Sequence, residues 1–194
     1  MNTLLGSDAK LLIIGDDLSG TADCAVTCTH HGLRSVVTLG AERPNAGDVD
    51  VLAVDMDTRR YAPSEAARAN THAWNLFANG RRVYKKIDST LRGNVAAEVA
   101  ALSALAGMAI VAPGFPQAGR TTRNGHQFVF GVPVEASEVW RNERKRSIID
   151  VPLRVELRAM NRREAWRVLS AGKQAFSRAE ARRSRRHWSP EGCA

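Results

Sequence analysis

The sequence predicts an α/β fold: an open, mostly parallel sheet with helices on both faces, followed by an Arg-rich, irregular or helical C-terminal tail. Three observations predict it. Runs such as residues 10–15 (KLLIIG) and 50–55 (DVLAVD) are almost continuously apolar, the pattern of strands buried on both faces. Helical segments with recognisable start and stop residues lie between such runs. Strand and helix patterns alternate along the chain, which implies parallel pairing through right-handed crossovers.

The elements follow in order. The first strand is residues 10–15, then a polar turn at 16–21 and a helix at 22–31 ended by Gly32. Residues 34–39 (RSVVTL) are a second strand and 50–55 a third, which runs into 56–60. Pro63-Ser64-Glu65 opens a long helix through about residue 78, with Asn79-Gly80 as its stop. Residues 82–87 are a fourth strand, the Ala-rich stretch 94–106 a helix, and 108–112 (MAIVA) a fifth strand. After Trp140 the composition changes to Arg and Ala, with Arg182-Arg183-Ser184-Arg185-Arg186 near the end. Residues 158–175 suit a helix, since Trp166 and Leu169 share a face. The change divides the chain into an α/β domain at 1–140 and a divergent basic tail at 141–194, read as partly disordered and as the product of a shifted reading frame near Arg141.

Composition narrows the function classes. An apolar share of 44% and a charged share of 25% are ordinary for a globular protein. No apolar run is long enough to cross a bilayer, and residues 1–10 lack the basic and apolar regions of an export signal. The three cysteines make no disulfide framework, which fits a cytoplasmic setting. The net charge of +8 invites a nucleic-acid reading, but it is all in the tail. Residues 1–140 hold 13 Lys+Arg against 14 Asp+Glu, whereas residues 141–194 hold 15 against 6. A nucleic-acid-binding domain carries its basic patch on the folded unit, so no specific nucleic-acid partner and no membrane partner are expected.

In open α/β sheets ligands bind beyond the carboxyl ends of the strands. There the sequence places Asp16 and Asp17, then Asp55, Asp57, Thr58 and Arg59, then Lys85, Lys86, Asp88, Ser89, Thr90 and Arg92. Residues 113–125, with Gly114 and Arg120, follow the fifth strand. Carboxylates and hydroxyls suit a polyhydroxylated substrate, and the guanidinium forks of Arg59, Arg92 and Arg120 suit a carboxylate. Aromatic side chains are scarce there, which argues against a flat ring ligand. A small polyhydroxylated acid fits this set, and a carboxylate beside the reacting hydroxyl could act as general base or orient it toward a phosphoryl group. Each piece also has an ordinary reading: Asp16-Asp17 as a helix cap, residues 89–94 as a helix-start turn. Cys24, Cys28 and His31 share a helix face, but cysteines so placed are usually small core residues, so no metal site is expected.

Four segments read together resemble the four-carbon acid sugar kinase family: residues 13–26 (IIGDDLSGTADCAV), 51–66 (VLAVDMDTRRYAPSEA), 83–98 (VYKKIDSTLRGNVAAE) and 110–134 (IVAPGFPQAGRTTRNGHQFVFGVPV). The likeness runs over residues 10–138 and fades beyond Glu138. It implies the N-terminal, acid-sugar-binding domain of a two-domain, ATP-dependent kinase acting on tetronates or 3-oxo-tetronates, with ATP and Mg²⁺ held by a second domain. By that resemblance Asp16 and Asp17 are the acidic pair of the first loop, with Asp17 as base or orienting group. Lys86, Asp88, Ser89, Thr90 and Arg92 form the substrate loop, and Arg59 holds the acid. Gly15, Ser19 and Thr21 stand where the family usually has alanine, threonine and alanine.

No glycine-rich phosphate loop with a lysine occurs in the 194 residues. The nucleotide-binding domain is thus expected to be absent, the chain truncated and inactive alone, and the other half to be separately encoded if it exists. Two alternatives stand beside this. Asp55-Met56-Asp57-Thr58 spells the DxDxT signature of a haloacid-dehalogenase-type phosphatase, although there the nucleophile strand precedes the acidic pair. The other is a non-catalytic remnant that only binds ligand.

Overall fold

The computed structural model describes residues 10–42, 48–107, 109–123 and 126–136. The expected helix at 158–175, the boundary at 140 and the basic tail lie outside the described residues. Strands β1 (Lys10–Gly15), β2 (Ser35–Leu39), β3 (Val51–Asp55) and β4 (Arg81–Lys85) form one parallel sheet in the order β2-β3-β1-β4. The central pair, β1 and β3, carries the continuous apolar runs because both of its faces are covered. The edge strand β4 (RRVYK) instead alternates between half-buried and exposed positions.

The connecting helices are α1 (Leu18–His30), α2 (Pro63–Phe77) and α3 (Val95–Ala106). The crossover from β1 to β2 and that from β3 to β4 run in opposite directions along the sheet, so crossovers of one hand must lie on opposite faces. The core shows that division. Leu12, Ile14, Leu52 and Val54 pack against Ala73 and Phe77 of α2 and Leu102 of α3. Ile13, Val51 and Ala53, one residue out of phase, pack against Ala25 of α1, with Cys24 and Cys28 at the margin. Each fully buried Leu, Ile or Val here contributes roughly 1.5–3 kcal/mol of transfer free energy. Cys24 and Cys28 thus pack, partly buried, against this cluster, as cysteines on a helix face usually do. Pro63 opens α2, and Glu65 Oε2 accepts from Ala62 N at 3.2 Å. Among the described residues no helix is long and apolar enough to cross a membrane.

Register levels the strand ends: Gly15 pairs with Asp55, Leu39 with Asp55 and Ile14 with Lys85. All four chain exits therefore leave at one rim. Between β1 and β3 the following helices depart to opposite faces, which opens a crevice at that point.

Two expectations are corrected. The polar stretch 16–21 is not a turn up to Thr21: α1 begins at Leu18, because the Asp17 side chain accepts from Gly20 N at 3.0 Å and caps the helix there. No fifth strand joins the sheet among the described residues of 109–112, and β4 ends that side of the order. Val111 is held by packing against Val95 and Val99 of α3, with Ile87 beside them, rather than by a ladder of backbone bonds. The chain then forms a small antiparallel sheet, β5 (Arg120–Arg123), β6 (His126–Val129) and β7 (Val132–Pro133). Phe130 and Gly131 join β6 to β7 with φ values of 48° and 82°, the pair of left-handed residues of a tight two-residue hairpin.

Candidate functional site

The rim loops converge on Arg59, which follows β3. Its Nε donates to Asp16 Oδ2 at 2.9 Å and its Nη1 lies 2.9 Å from Asp17 Oδ2, both in the loop after β1. Its Nη2 stands 3.9 Å from Asp88 Oδ1 in the loop after β4. One guanidinium thus spans three loops, in the fork geometry that lysine could not reproduce. Two details let it lie there. Gly93, at φ +85°, brings the backbone so close that a Cβ would stand 3.2 Å from Arg59 Cγ. Asn94 Nδ2 donates at 2.9 Å to the carbonyls of Thr58 and Tyr61, on either side of Arg59 in sequence, and so fixes its backbone.

The loop at residues 88–92 is organised by Asp88. Its Oδ2 accepts from Thr90 N at 3.0 Å, Arg92 N at 3.2 Å and the Thr90 hydroxyl. Its Oδ1 accepts from Arg92 Nη2 at 2.7 Å. Burial by itself would raise the Asp88 carboxyl, but the bonds from Arg92 and Thr90 outweigh it and hold the group well below the usual carboxylate range. These bonds also hold buried Leu91 at φ 62°, a conformation that costs a non-glycine residue of order 1–2 kcal/mol.

Of the expected residues, then, Asp16, Asp17, Arg59, Asp88, Thr90 and Arg92 share one bonded cluster. Asp16 is 1% exposed; burial pushes its carboxyl up, while the Arg59 bond and the Lys85 charge pull it down. Lys86 donates from Nζ to the Ile87 carbonyl at 2.9 Å and lies over the first turn of α1, 3.0 Å from where a Gly20 Cβ would stand. Ser89 enters through its carbonyl, described next. Arg120 sits in β5 with Nη1 on the Ala118 carbonyl at 3.1 Å. Asp55 accepts from Asp57 N at 3.0 Å, the bond of a turn-capping aspartate, and burial raises its carboxyl against that bond. Asp57 is exposed with φ 45°.

Sequence reasoning passes over two residues. Glu98 of α3 is fully buried, with Lys85 Nζ 2.7 Å from Oε2 and the Thr58 hydroxyl on Oε1. An acidic residue among alanines reads as a solvated helix position, and only the packing of α3 on the sheet shows otherwise. Gln127 of β6 is 2% exposed and donates from Nε2 to the carbonyls of Ser89 at 2.9 Å and Pro113 at 3.2 Å. Asn94 is legible in sequence as the end of the rim loop after the fourth strand or of a helix-start turn, but its bonds to Thr58 and Tyr61 are not. The hairpin that delivers Gln127 does have a signal, Asn124-Gly125 between two short runs.

Comparison with known proteins gives the cluster a context. Residues 11–181 match the family described as the sugar-binding N-terminal domain. The chain is 58% identical over 135 residues to a D-threonate kinase of Cupriavidus necator, covering 68% of this chain and 32% of that protein. It is 35% identical over 137 residues to a 3-oxo-tetronate kinase of Methylobacterium radiotolerans, covering 64% of this chain and 32% of the relative. The chain thus spans about a third of the length of the curated relatives it matches. A crystal structure of a domain of unknown function from Bordetella bronchiseptica, a domain-swapped dimer with bound citrate, superposes with a TM-score of 0.66 at 35% identity, over 72% of this chain and 38% of that one.

Proposed function

This chain belongs to the four-carbon acid sugar kinase family, as its sugar-binding N-terminal domain, and on that premise we propose that the Arg59 cluster binds a four-carbon sugar acid as the substrate-binding portion of an ATP-dependent kinase. The observation that carries the reading is the bridging of three rim loops by Arg59. Asp16 and Asp17 orient the guanidinium through Nε and Nη1, and the Nη2 edge, 3.9 Å from Asp88, faces the loop of residues 88–92. That edge and Arg92 supply fork donors for the acid's carboxylate, with Lys86 as a further positive charge at the first turn of α1.

The substrate hydroxyls need acceptors. Both oxygens of Asp17 already have a partner, Gly20 N and Arg59, so its remaining lone pairs accept from a hydroxyl and orient it for attack. Ser89 and Thr90 add hydroxyl contacts. D-threonate and 3-oxo-tetronate, named for the two kinase relatives, and citrate, bound in the Bordetella structure, are all small oxygenated acids, as the site chemistry requires.

ATP and Mg²⁺ belong to the chemistry of the kinase relatives. Among the described residues no group of three or more His, Cys, Asp or Glu is arranged to hold a metal ion. Binding the acid and orienting its hydroxyl through Asp17 are the part of the reaction proposed for these residues.

Titration calorimetry of the 194-residue chain with D-threonate, D-erythronate and threitol tests the reading. The acids should bind, threitol, which lacks the carboxylate, should not, and Arg92→Ala and Asp17→Asn should each weaken binding. Absence of binding to any acid, or variants that bind as the parent does, would overturn it.

A further inference from the structure

We infer that Gln127 is a positioning residue: its side-chain amide holds the Ser89 carbonyl, and with it the loop of residues 89–92, in the conformation that receives the substrate. This rests on the proposed acid-binding role of that loop. Three observations carry it.

The first is the completeness of the bonding. Gln127 is 2% exposed, and burying an amide is unfavourable unless its groups are bonded. Both Nε2 protons have carbonyl partners, Ser89 at 2.9 Å and Pro113 at 3.2 Å, and Oε1 accepts from the Thr122 hydroxyl at 2.7 Å. The second is orientation. Thr122 and Gln127 are cross-strand partners in β5 and β6, so their side chains share a face and the hydroxyl meets the amide oxygen. That contact turns Nε2 toward the two carbonyls. Neither carbonyl could bond a glutamate carboxylate or a methionine thioether in its place.

The third is what lies at the other end. Ser89 precedes Thr90, Leu91 and Arg92, whose amides bond to Asp88 and whose Leu91 is held at φ 62°. A left-handed leucine lies above the lowest-energy conformation open to it, so the loop relies on its surroundings to keep this shape. Asp88 holds it from within, and Gln127 holds it from outside, linking it to the small sheet and to the 113–114 segment. A role confined to fastening the small sheet would leave the loop unchanged when the amide is replaced.

Two measurements separate these outcomes and keep this inference distinct from the acid-binding reading. In the ligand-free chain, hydrogen exchange at the amides of Thr90, Leu91 and Arg92 should quicken in Gln127→Met and Gln127→Glu, and not in Val132→Ala, which alters β7 without touching the loop. In calorimetry with D-threonate, both Gln127 variants should lose affinity, by about tenfold or more. The Gln127→Glu loss should shrink as pH falls from 8 to 5.5, because a protonated carboxyl regains one donor for the carbonyls. A purely structural role gives no such pH profile.

Folded Gln127 variants with parental exchange at 90–92, or affinities within about twofold of the parent, would overturn the inference. If neither variant folds, Thr122→Val decides, since it removes only the orienting hydroxyl: unchanged exchange and affinity would then overturn it. If the parent binds no acid while exchange at 90–92 still responds to Gln127, the clamp stands and the acid-binding reading fails.

Discussion

Gly15 and Thr21 form a packing pair whose coupling can be measured. Gly15 ends β1, and a Cβ built on it would stand 1.8 Å from Thr21 Oγ1 and 3.0 Å from Thr21 Cβ. Thr21 is fully buried in α1 and donates from Oγ1 to the Asp17 carbonyl at 2.7 Å. Gly15→Ala therefore has two escapes. If β1 and α1 part by about 1 Å, the overpacking costs roughly 1–3 kcal/mol. If the Thr21 hydroxyl swings away, a buried hydroxyl loses its acceptor, at about 1–3 kcal/mol. Thr21→Ala alone forfeits one hydrogen bond and a methyl, about 1 kcal/mol, partly offset by the better helix propensity of alanine. In the double variant the methyl added at position 15 occupies the space that Oγ1 leaves, so stability should return to within about 1 kcal/mol of the parent. The cycle should thus show a coupling of roughly 1–3 kcal/mol in favour of the double variant. Urea unfolding followed by circular dichroism measures all four corners. Additive losses, or a Gly15→Ala variant as stable as the parent, would refute the argument. An alanine pair at these positions is the other solution to the same packing problem.

Further outcomes follow from the same packing and charge pairs. Lys85→Met leaves Glu98 as an unpaired buried carboxylate and should cost about 3–5 kcal/mol in chemical denaturation, while Lys85→Met with Glu98→Leu should recover most of it. Gly20→Ala puts a methyl 2.7 Å from Asp17 Oδ1 and 3.0 Å from Lys86 Nζ; the helix gains and the cap loses, each about 1 kcal/mol, so melting should barely change while D-threonate affinity in calorimetry falls. Asp88, held below its ordinary value of 3.8, contributes stability that is present above that value and lost as pH falls beneath it, so Asp88→Asn should flatten the acid limb of the stability curve in pH-dependent denaturation. Asp16 acts with the opposite sign, because its raised carboxyl lets the folded state keep its proton as pH rises past 3.8.

Much of the fold is legible because its signals are local. Continuous apolar runs at residues 11–14 and 51–54 read as strands covered on both faces, and Pro63, Gly32 and Asn79-Gly80 punctuate the helices between them. Residues 109–112 mislead for a physical reason: a short apolar run buries Val111 equally well as a strand or as a coil packed on α3, and periodicity does not separate the two. The start of α1 is misplaced from sequence because Ser19, Gly20 and Thr21 have turn propensities, which the Asp17 cap overrides.

What the sequence determined by itself was the order of elements through the helix at 95–106 and the concentration of Asp, Arg and Lys at strand ends, since parallel pairing sends every such end to one rim. What only the tertiary structure decided was which of those charges meet: Arg59 with Asp16 and Asp17, Asp88 with Arg92, Lys85 with Glu98. Partners such as Arg59 and Asp16 lie 43 residues apart. Their meeting depends on strand order, register and loop shape, and none of these is a property of either residue or of its neighbours in the chain.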